Sequence, residues 1–303
     1  LVNAYYRSAQ ALGVQVRYGT PVVGVDLDGD RFVAARLADG GRIRVDGQIK
    51  ANSNNGTAGG DIYIGRDKDT NVLAAVGDAS GARLESKGGF VETSGQFLNV
   101  DGTRVMAKDW LLDPDNIDIT GDATAATAGY SKIKASDIVA NLNIGTSVVI
   151  ATSSTAGTSM NQPAYVGSPV NGDGNILVNA VISKTSGGEA SLTLLADNGI
   201  TVNQEIKSTS NKLNVTMKAN GSASGASSQG LVINKSIDAN GGAINLEGKT
   251  TNSAAAVTVE QAAVIQGSSV TMVGNSTSGA AIKGTGKVNA TAGGVSITGV
   301  GNT

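Results

Sequence analysis

Hydrophobic and polar positions follow two textures along the chain. Near the N-terminus, Leu1, Val2, Tyr5, Tyr6, Ala9 and Leu12 recur with the period of an amphipathic helix, and Gly13 stands where a helix-ending glycine belongs. Val14–Tyr18 then alternates as a strand. Pro21–Leu27 predicts a second strand, closed by the hairpin signal Asp28-Gly29, and Arg31–Leu37 pairs with Arg42–Val45 around Asp39-Gly40. This is the pattern of a small mixed α/β piece.

At Gly47 the texture changes. Gln48–Gly60 is rich in Gly and Asn and predicts turns. Asp61–Gly65 alternates as a strand, and Asp67–Gly81 reads as a loop or short helical excursion. Short strands follow at Phe90-Val91, Phe97–Val100, Val105–Ala107 and Ile117–Ile119, punctuated by Gly88-Gly89, Gly95, Asp101-Gly102 and Asp113-Pro114. From Ala125 the pattern repeats. A short apolar run near Ile138 suggests one helical turn before the strand Ser147–Thr152. Strand-like runs then recur at Asn175–Asn179, Ser191–Leu195, Ile200–Val202, Leu213–Met217, Leu231–Ile233, Ala243–Leu246, Val257–Val259, Ser269–Met272, Lys287-Val288 and Val295–Ile297. Two strands per coil of roughly twenty residues fit this spacing, the period range of a solenoid. Stacked at roughly 4.8 Å, about a dozen such coils form a rod on the order of 55–60 Å. A β-sandwich of the immunoglobulin kind ends near about 100 residues, whereas this texture runs on to the end of the chain.

Composition supports the thin core of a solenoid. Aromatics are 3% of 303 residues, glycines number 42, and apolar content is still 40%. Small β-branched residues pack narrow, stacked strands. The net charge is −2, from 23 basic and 25 acidic residues without a basic block, so the footprint of a nucleic-acid binder is missing. No apolar run reaches the roughly 18 residues of a membrane span. The chain has neither Cys nor His. That excludes disulfides, thiolate metal sites and every Ser-His triad. The chain opens at Leu1 without a signal-peptide pattern and is expected to be a fragment.

The expected fold is mainly β: a right-handed parallel β-helix carrying a short N-terminal α/β fragment. Its divisions are 1–46, the α/β fragment; 47–124, a first solenoid segment; and 125–303, a repetitive solenoid. The most distinctive text is Gly88–Thr120, which contains the single Trp (Trp110), Phe90, Phe97, Asp113 and Pro114. Its Phe and Trp side chains are expected to fill the widest part of the core.

Candidate chemistry is sparse. Glu92, Asp101, Asp109, Asp113, Asp115 and Asp118 gather in sequence near Trp110. Paired carboxylates beside an aromatic can form a glycosidase site, but Asp-Pro and Asp-Gly are turn chemistry, and the acids are expected to make turns. Asp26, Asp28 and Asp30 suggest the start of a calcium loop, yet its twelfth position is Leu37 rather than an acid. Gly286-Lys287 is followed by Val288, which breaks the phosphate-loop pattern. Asn-X-Ser/Thr occurs at Asn55, Asn214, Asn220, Asn234, Asn275 and Asn289, which are candidate glycosylation sites and otherwise exposed turn residues. No catalytic, cofactor or metal-ligating set emerges.

Two resemblances add to this reading. LVNAYYRSAQALGVQVRYGTPVVGVDLDGDRF resembles the fumarate reductase-like flavoproteins, in particular the FAD-dependent tricarballylate dehydrogenase group. It covers residues 1–46 and lacks the family's dinucleotide fingerprint and catalytic His. It implies an inactive piece of a dehydrogenase, with FAD only in a complete flavoprotein. GGDIYIGRD, SGARLESKGGFVETSGQFLNVDG and VMAKDWLLDPDNIDIT, in that order, resemble exoproteins of the filamentous haemagglutinin and high-molecular-weight adhesin type. That resemblance implies a non-enzymatic virulence adhesin, secreted to the Gram-negative cell surface by two-partner secretion. Its implied partners are a host-cell receptor or glycan, other bacterial cells, and the outer-membrane transporter of that pathway. The family's secretion domain with its Asn-Pro-Asn motifs is not in this sequence.

Overall fold

A computed structural model describes residues 22–28, 31–37, 42–44, 48–53, 56–65, 76–152, 174–221 and 228–301. The chain divides into two compact units, Leu1–Gln48 and Ile49–Thr303. In the first unit three strands are described: β1 (Val22–Asp28), β2 (Arg31–Leu37) and β3 (Arg42–Arg44). They lie side by side in that order, both pairs antiparallel, with Asp28 opposite Arg31. Asp26 and Asp28 are strand residues. The helix expected over 1–12 and the strand over 14–18 lie outside the described residues.

The second unit is a parallel β-helix. Its first strands are β4 (Gln48–Lys50), which begins at the unit boundary, β5 (Asp61–Ile64), β6 (Val76–Asp78), β7 (Arg83–Ser94), β8 (Phe97–Asn99), β9 (Arg104–Asp113), β10 (Ile117–Thr120) and β11 (Ser131–Lys134). Val76–Asp78 is thus a strand where a loop or helical excursion was expected. Helix α1 (Ala135–Leu142) and β12 (Ser147–Ala151) follow. The helix has eight residues, where one turn was expected.

Regular coils come next, each with three strands. The first holds β13 (Ile176–Val178), β14 (Ile182–Lys184) and β15 (Ala190–Ala196). The second holds β16 (Ile200–Val202), β17 (Ile206–Ser208) and β18 (Leu213–Ala219). The third holds β19 (Leu231–Ile233), β20 (Ile237–Asp238) and β21 (Ile244–Thr250). The fourth holds β22 (Val257–Val259), β23 (Val264–Gly267) and β24 (Val270–Ser276). The fifth holds β25 (Ile282–Gly284), β26 (Lys287–Ala290) and β27 (Val295–Gly301).

Three stacks of parallel strands result. The long sheet runs β27-β24-β21-β18-β15-β12-β9-β7-β4, with β5 also paired to β7; a second runs β11-β10-β13-β16-β19-β22-β25; a third runs β14-β17-β20-β23-β26. The two-strand coil of roughly twenty residues is therefore corrected. Equivalent residues lie 24 apart at Asn179 and Asn203, 31 apart at Asn203 and Asn234, and 26 apart at Thr250 and Ser276. Longer coils mean fewer of them. The long sheet is nine strands deep, which gives about 38 Å at ~4.8 Å per step, not 55–60 Å. Connections between successive strands of a sheet are crossovers, for which the right hand is the near-universal rule.

Strict alternation drives the packing. In β18, Leu213, Val215, Met217 and Ala219 are buried and the residues between them are not. Register then stacks like on like: Ile176, Ile200, Leu231 and Val257 in one column, and Ile182, Ile206, Ile237 and Ile265 in another. Each fully buried aliphatic side chain contributes about 1.5–3 kcal/mol. The last strand, β27, continues the columns, but its inward Val295 and Ile297 are exposed.

One coil departs from the regular path. β10 pairs with β13 on one side and β11 on the other, both parallel, so the chain steps back by one position between them. α1 then lies against β9, whose first half is paired only with β7; β12 takes up pairing from Asp109 onward. Buried backbone polar groups must find partners. Here Asn141 of α1 accepts from Val105 N (2.7 Å) and donates to Thr103 O (3.0 Å), while Thr146 Oγ1 donates to Val105 O (2.7 Å). Two side chains thus stand in for a missing strand.

Close approach at the coil corners demands glycine. A Cβ on Gly248, an inward position of β21, would sit 1.9 Å from Ala256 O and 2.8 Å from Val257 Cγ2. Gly248→Ala is expected to cost about 1–3 kcal/mol through forced backbone shifts. Gly188→Ala, where nothing lies within 4 Å, is expected to change stability by less than about 0.5 kcal/mol. Urea unfolding midpoints of the two variants check this.

Candidate functional site

Gly88–Thr120 spans β7 to β10, and its bulky residues take different roles. Trp110 points inward between Val91 and Val148, is 0% exposed, and its Nε1 donates to Thr93 Oγ1 at 3.1 Å. Phe90 alternates to the opposite, outer face of the same sheet, where it meets Tyr63 with ring centroids 6.1 Å apart. Phe97 is 39% exposed, because Leu98 is the inward residue of the three-residue strand β8. Phe90 is buried as well, but on the outer face, so of the three rings expected to fill the core only Trp110 enters the interior. Asp113 and Pro114 are buried where β9 ends. Gly88 and Gly89 form a bulge against β9, with Gly88 at φ +70°.

The six acids do not converge on one site. Asp101 sits at a turn and accepts a 2.6 Å ion pair from Lys134, as turn chemistry predicts. Glu92 and Asp118 are buried strand residues rather than turn residues, which corrects that expectation. Ser94 Oγ donates to Glu92 Oε1 at 2.5 Å. Asp109 lies beside Phe90 on the outer face, and burial holds its carboxyl above the usual range. Among the described residues no group of three His, Cys, Asp or Glu side chains could hold a metal ion. No helix among them is long and apolar enough to cross a membrane.

Asp118 anchors a half-buried amide ladder. One carboxylate oxygen accepts from Thr127 N (2.8 Å) and Thr127 Oγ1 (2.7 Å), and the other accepts from Asn179 Nδ2 (2.8 Å). Asn203 Nδ2 donates to Asn179 Oδ1 (2.8 Å), and Asn234 Nδ2 donates to Asn203 Oδ1 (2.7 Å). All the donors point toward the carboxylate, an alignment in which each bond polarises the next. The signal is visible in the repeats Ile176-Leu-Val-Asn179, Ile200-Thr-Val-Asn203 and Leu231-Val-Ile-Asn234.

Lys184 is the unexpected interior charge. It ends β14 with 0% exposure. Its Nζ donates to Ser210 O (2.6 Å), Ser186 O (2.8 Å) and Gly187 O (3.4 Å). Ser208 occupies the same place one coil on. The long side chain fills the corner next to α1, and backbone carbonyls take its ammonium protons.

The candidate glycosylation sites separate by environment. Asn214, Asn275 and Asn289 are strand residues, not turn residues. Asn275 and Asn289 are exposed. Asn214 is half-buried and its Oδ1 accepts from Ala243 N. Asn220 is half-buried, and Asn234 belongs to the ladder. Asn55 lies outside the described residues.

An open surface lies on the outer face of the long sheet. Thr193, Thr216, Asn245 and Thr271 form one row across β15, β18, β21 and β24; Leu195, Lys218, Glu247 and Val273 form the next. They line a hollow of about 360 Å³. Lys218 and Glu247 pair at 3.2 Å, both about half exposed. Toward β12 this side of the sheet is buried, with Val149, Ala151 and Leu195 packed against a half-buried Leu111 in one cluster. The open part offers shallow hydrogen bonding and one balanced ion pair. No protein-family model matches the chain, and neither does any curated protein.

Burial holds the Lys184 ammonium below its ordinary value of 10.5. The unfolded chain then binds the proton more tightly than the folded one. This penalty is present in full below the folded pKa and is relieved as pH rises from there to 10.5. Stability is expected to rise with pH across that alkaline window, and Lys184→Met to remove this contribution to the slope; urea melts at stepped pH test both. If the chain is made in a host that attaches N-glycans, peptide mapping is expected to find Asn275 and Asn289 occupied and Asn234 bare.

Proposed function

We propose that the chain is a non-catalytic part of a large, surface-displayed adhesive exoprotein of the filamentous haemagglutinin kind. Its mechanism is display: a stiff stack of coils presents long polar faces to a host-cell receptor or glycan, or to another bacterial cell. Shallow contacts repeat from coil to coil, and many copies multiply a weak affinity. The reading places the chain outside the cell, at the surface of a Gram-negative bacterium.

One observation carries the proposal. The residues of Gly88–Thr120 that suggested chemistry have structural partners: Trp110 has Thr93, Asp101 has Lys134, and Asp118 has Thr127 and Asn179. The text that most resembles adhesin exoproteins therefore lies in the scaffold of the solenoid. Beads coated with the purified chain are expected to adhere to epithelial or bacterial cells well above albumin-coated beads. Adhesion no greater than that of albumin, on every cell type tried, overturns the reading.

A further inference from the structure

We propose that the corner Asn240-Gly241, between β20 and β21, is a site of spontaneous self-modification, where the asparagine closes onto the following backbone amide and becomes a mixture of aspartate and isoaspartate. Three Asn-Gly pairs lie wholly among the described residues: Asn198-Gly199, Asn220-Gly221 and Asn240-Gly241. The reaction needs two groups to be available. One is the glycine amide nitrogen, which attacks; the other is the asparagine carboxamide carbon, which is attacked. The first two pairs withhold them. Asn198 is 0% exposed; its Nδ2 donates to Asn175 Oδ1 (3.0 Å) and its Oδ1 accepts from Gln229 N (2.8 Å). Gly199 N also donates to Asn175 Oδ1 (3.0 Å). Asn220 is half-buried, and Gly221 N donates to Asn198 O at 2.8 Å.

Asn240-Gly241 differs at both groups. Asn240 is exposed, and Gly241 N donates to no acceptor among the described residues. The amides on either side are held: Asn240 N donates to Asp238 Oδ1 (3.0 Å) and Gly242 N to Ala239 O (2.9 Å). The Asn240 carboxamide makes a single bond, from Nδ2 to Asn211 O at 3.1 Å. Asn240 (φ +46°) and Gly241 (φ +81°) both lie in the left-handed region, which costs a residue with a side chain more than it costs glycine. Gly241 brings no Cβ to obstruct the approach, and Gly242 follows it, so the backbone can turn to bring nitrogen and carbon together.

The step balances with water alone. Gly241 N attacks Cγ of Asn240 and forms an N–Cγ bond, and the amide proton passes to water. The Cγ–Nδ2 bond breaks, and Nδ2 takes a proton from water and leaves as ammonia. A second water opens the resulting imide ring. Opening at the side-chain carbonyl gives aspartate; opening at the backbone carbonyl gives isoaspartate, whose main chain runs through the former side chain. The net change is one water taken up and one ammonia lost, with nothing oxidised or reduced. The product weakens the corner. Where Nδ2 donated to Asn211 O, a carboxylate oxygen now meets a carbonyl oxygen, and Asp238 adds a second negative charge nearby. Isoaspartate also lengthens the main chain by one atom.

Incubation of the folded whole chain in mildly alkaline buffer, followed by trypsin and mass spectrometry, tests the proposal. Cleavage after lysine places each pair in its own peptide: 185–207, 219–235 and 236–249. Asn240 is expected to convert roughly tenfold or more faster than Asn198 and Asn220, because those sites must open locally before they react. Its peptide gains the mass difference between a hydroxyl and an amino group and separates into two products, of which isoaspartate marks the cyclic route. In guanidinium all three pairs are expected to convert at similar rates, since they share the same dipeptide. Conversion of Asn240 in the folded chain no faster than that of the other two overturns the proposal. So does aspartate formed without isoaspartate, or the same rate advantage for Asn240 in guanidinium, which would owe nothing to the fold. Asn240→Asp reproduces one product and is expected to lower the urea unfolding midpoint; an unchanged midpoint overturns the weakening of the corner.

Discussion

Backbone hydrogen bonds running along the solenoid axis are the interaction on which the second unit depends. Ile176 N donates to Gly199 O, Ile200 N to Gly230 O, Leu231 N to Ala256 O, and Val257 N to Ala281 O, each between 2.9 and 3.1 Å. None of these short strands is stable alone, and each is completed by the coil before and after it. The bonds also set register. A slip of one residue would turn Leu213, Val215 and Met217 outward and drive Asn214, Thr216 and Lys218 into the core. Stacking and burial thus enforce each other.

Interior polar groups mark where that rule is interrupted. α1 cannot pair with β9 as a strand would, so Asn141 and Thr146 satisfy its backbone. At the corner beside α1, Lys184 reaches three carbonyls. Asp118 begins the amide ladder where β10 sits between β11 and the regular coils. A functional reading of any of these groups must account for the structural bonds it already makes. In the proposed adhesive reading, the outer faces are where the molecule meets others. The long sheet provides one, with a row of hydroxyls and an amide at the spacing of the coils beside a single balanced charge pair.

Much of the fold was legible in the sequence, and what was missed had a physical cause. The strands of the long sheet are seven residues in β15, β18, β21 and β24, long enough for alternation to show. The third sheet was mostly invisible. Ile182-Ser-Lys184, Ile206-Lys-Ser208 and Ile237-Asp238 each have one inward Ile beside polar residues, which shows no period. Missing them made a three-strand coil look like two. Phe97 failed for a related reason: in a three-residue strand either parity is plausible, and pairing turned Leu98 inward.

The sequence by itself determined the class of structure, the recurrence of its long strands and the burial of Trp110. It also carried the Asn repeats of the ladder, though not their meaning. Only the tertiary structure decided how many strands make a coil, which acids are buried and which face each aromatic takes. The reason is that these outcomes depend on partners about 24 to 61 residues away, as between Asn179 and Asn203 or Asn179 and Asp118. Local pattern states that a residue alternates; the neighbouring coil decides the side on which it lands.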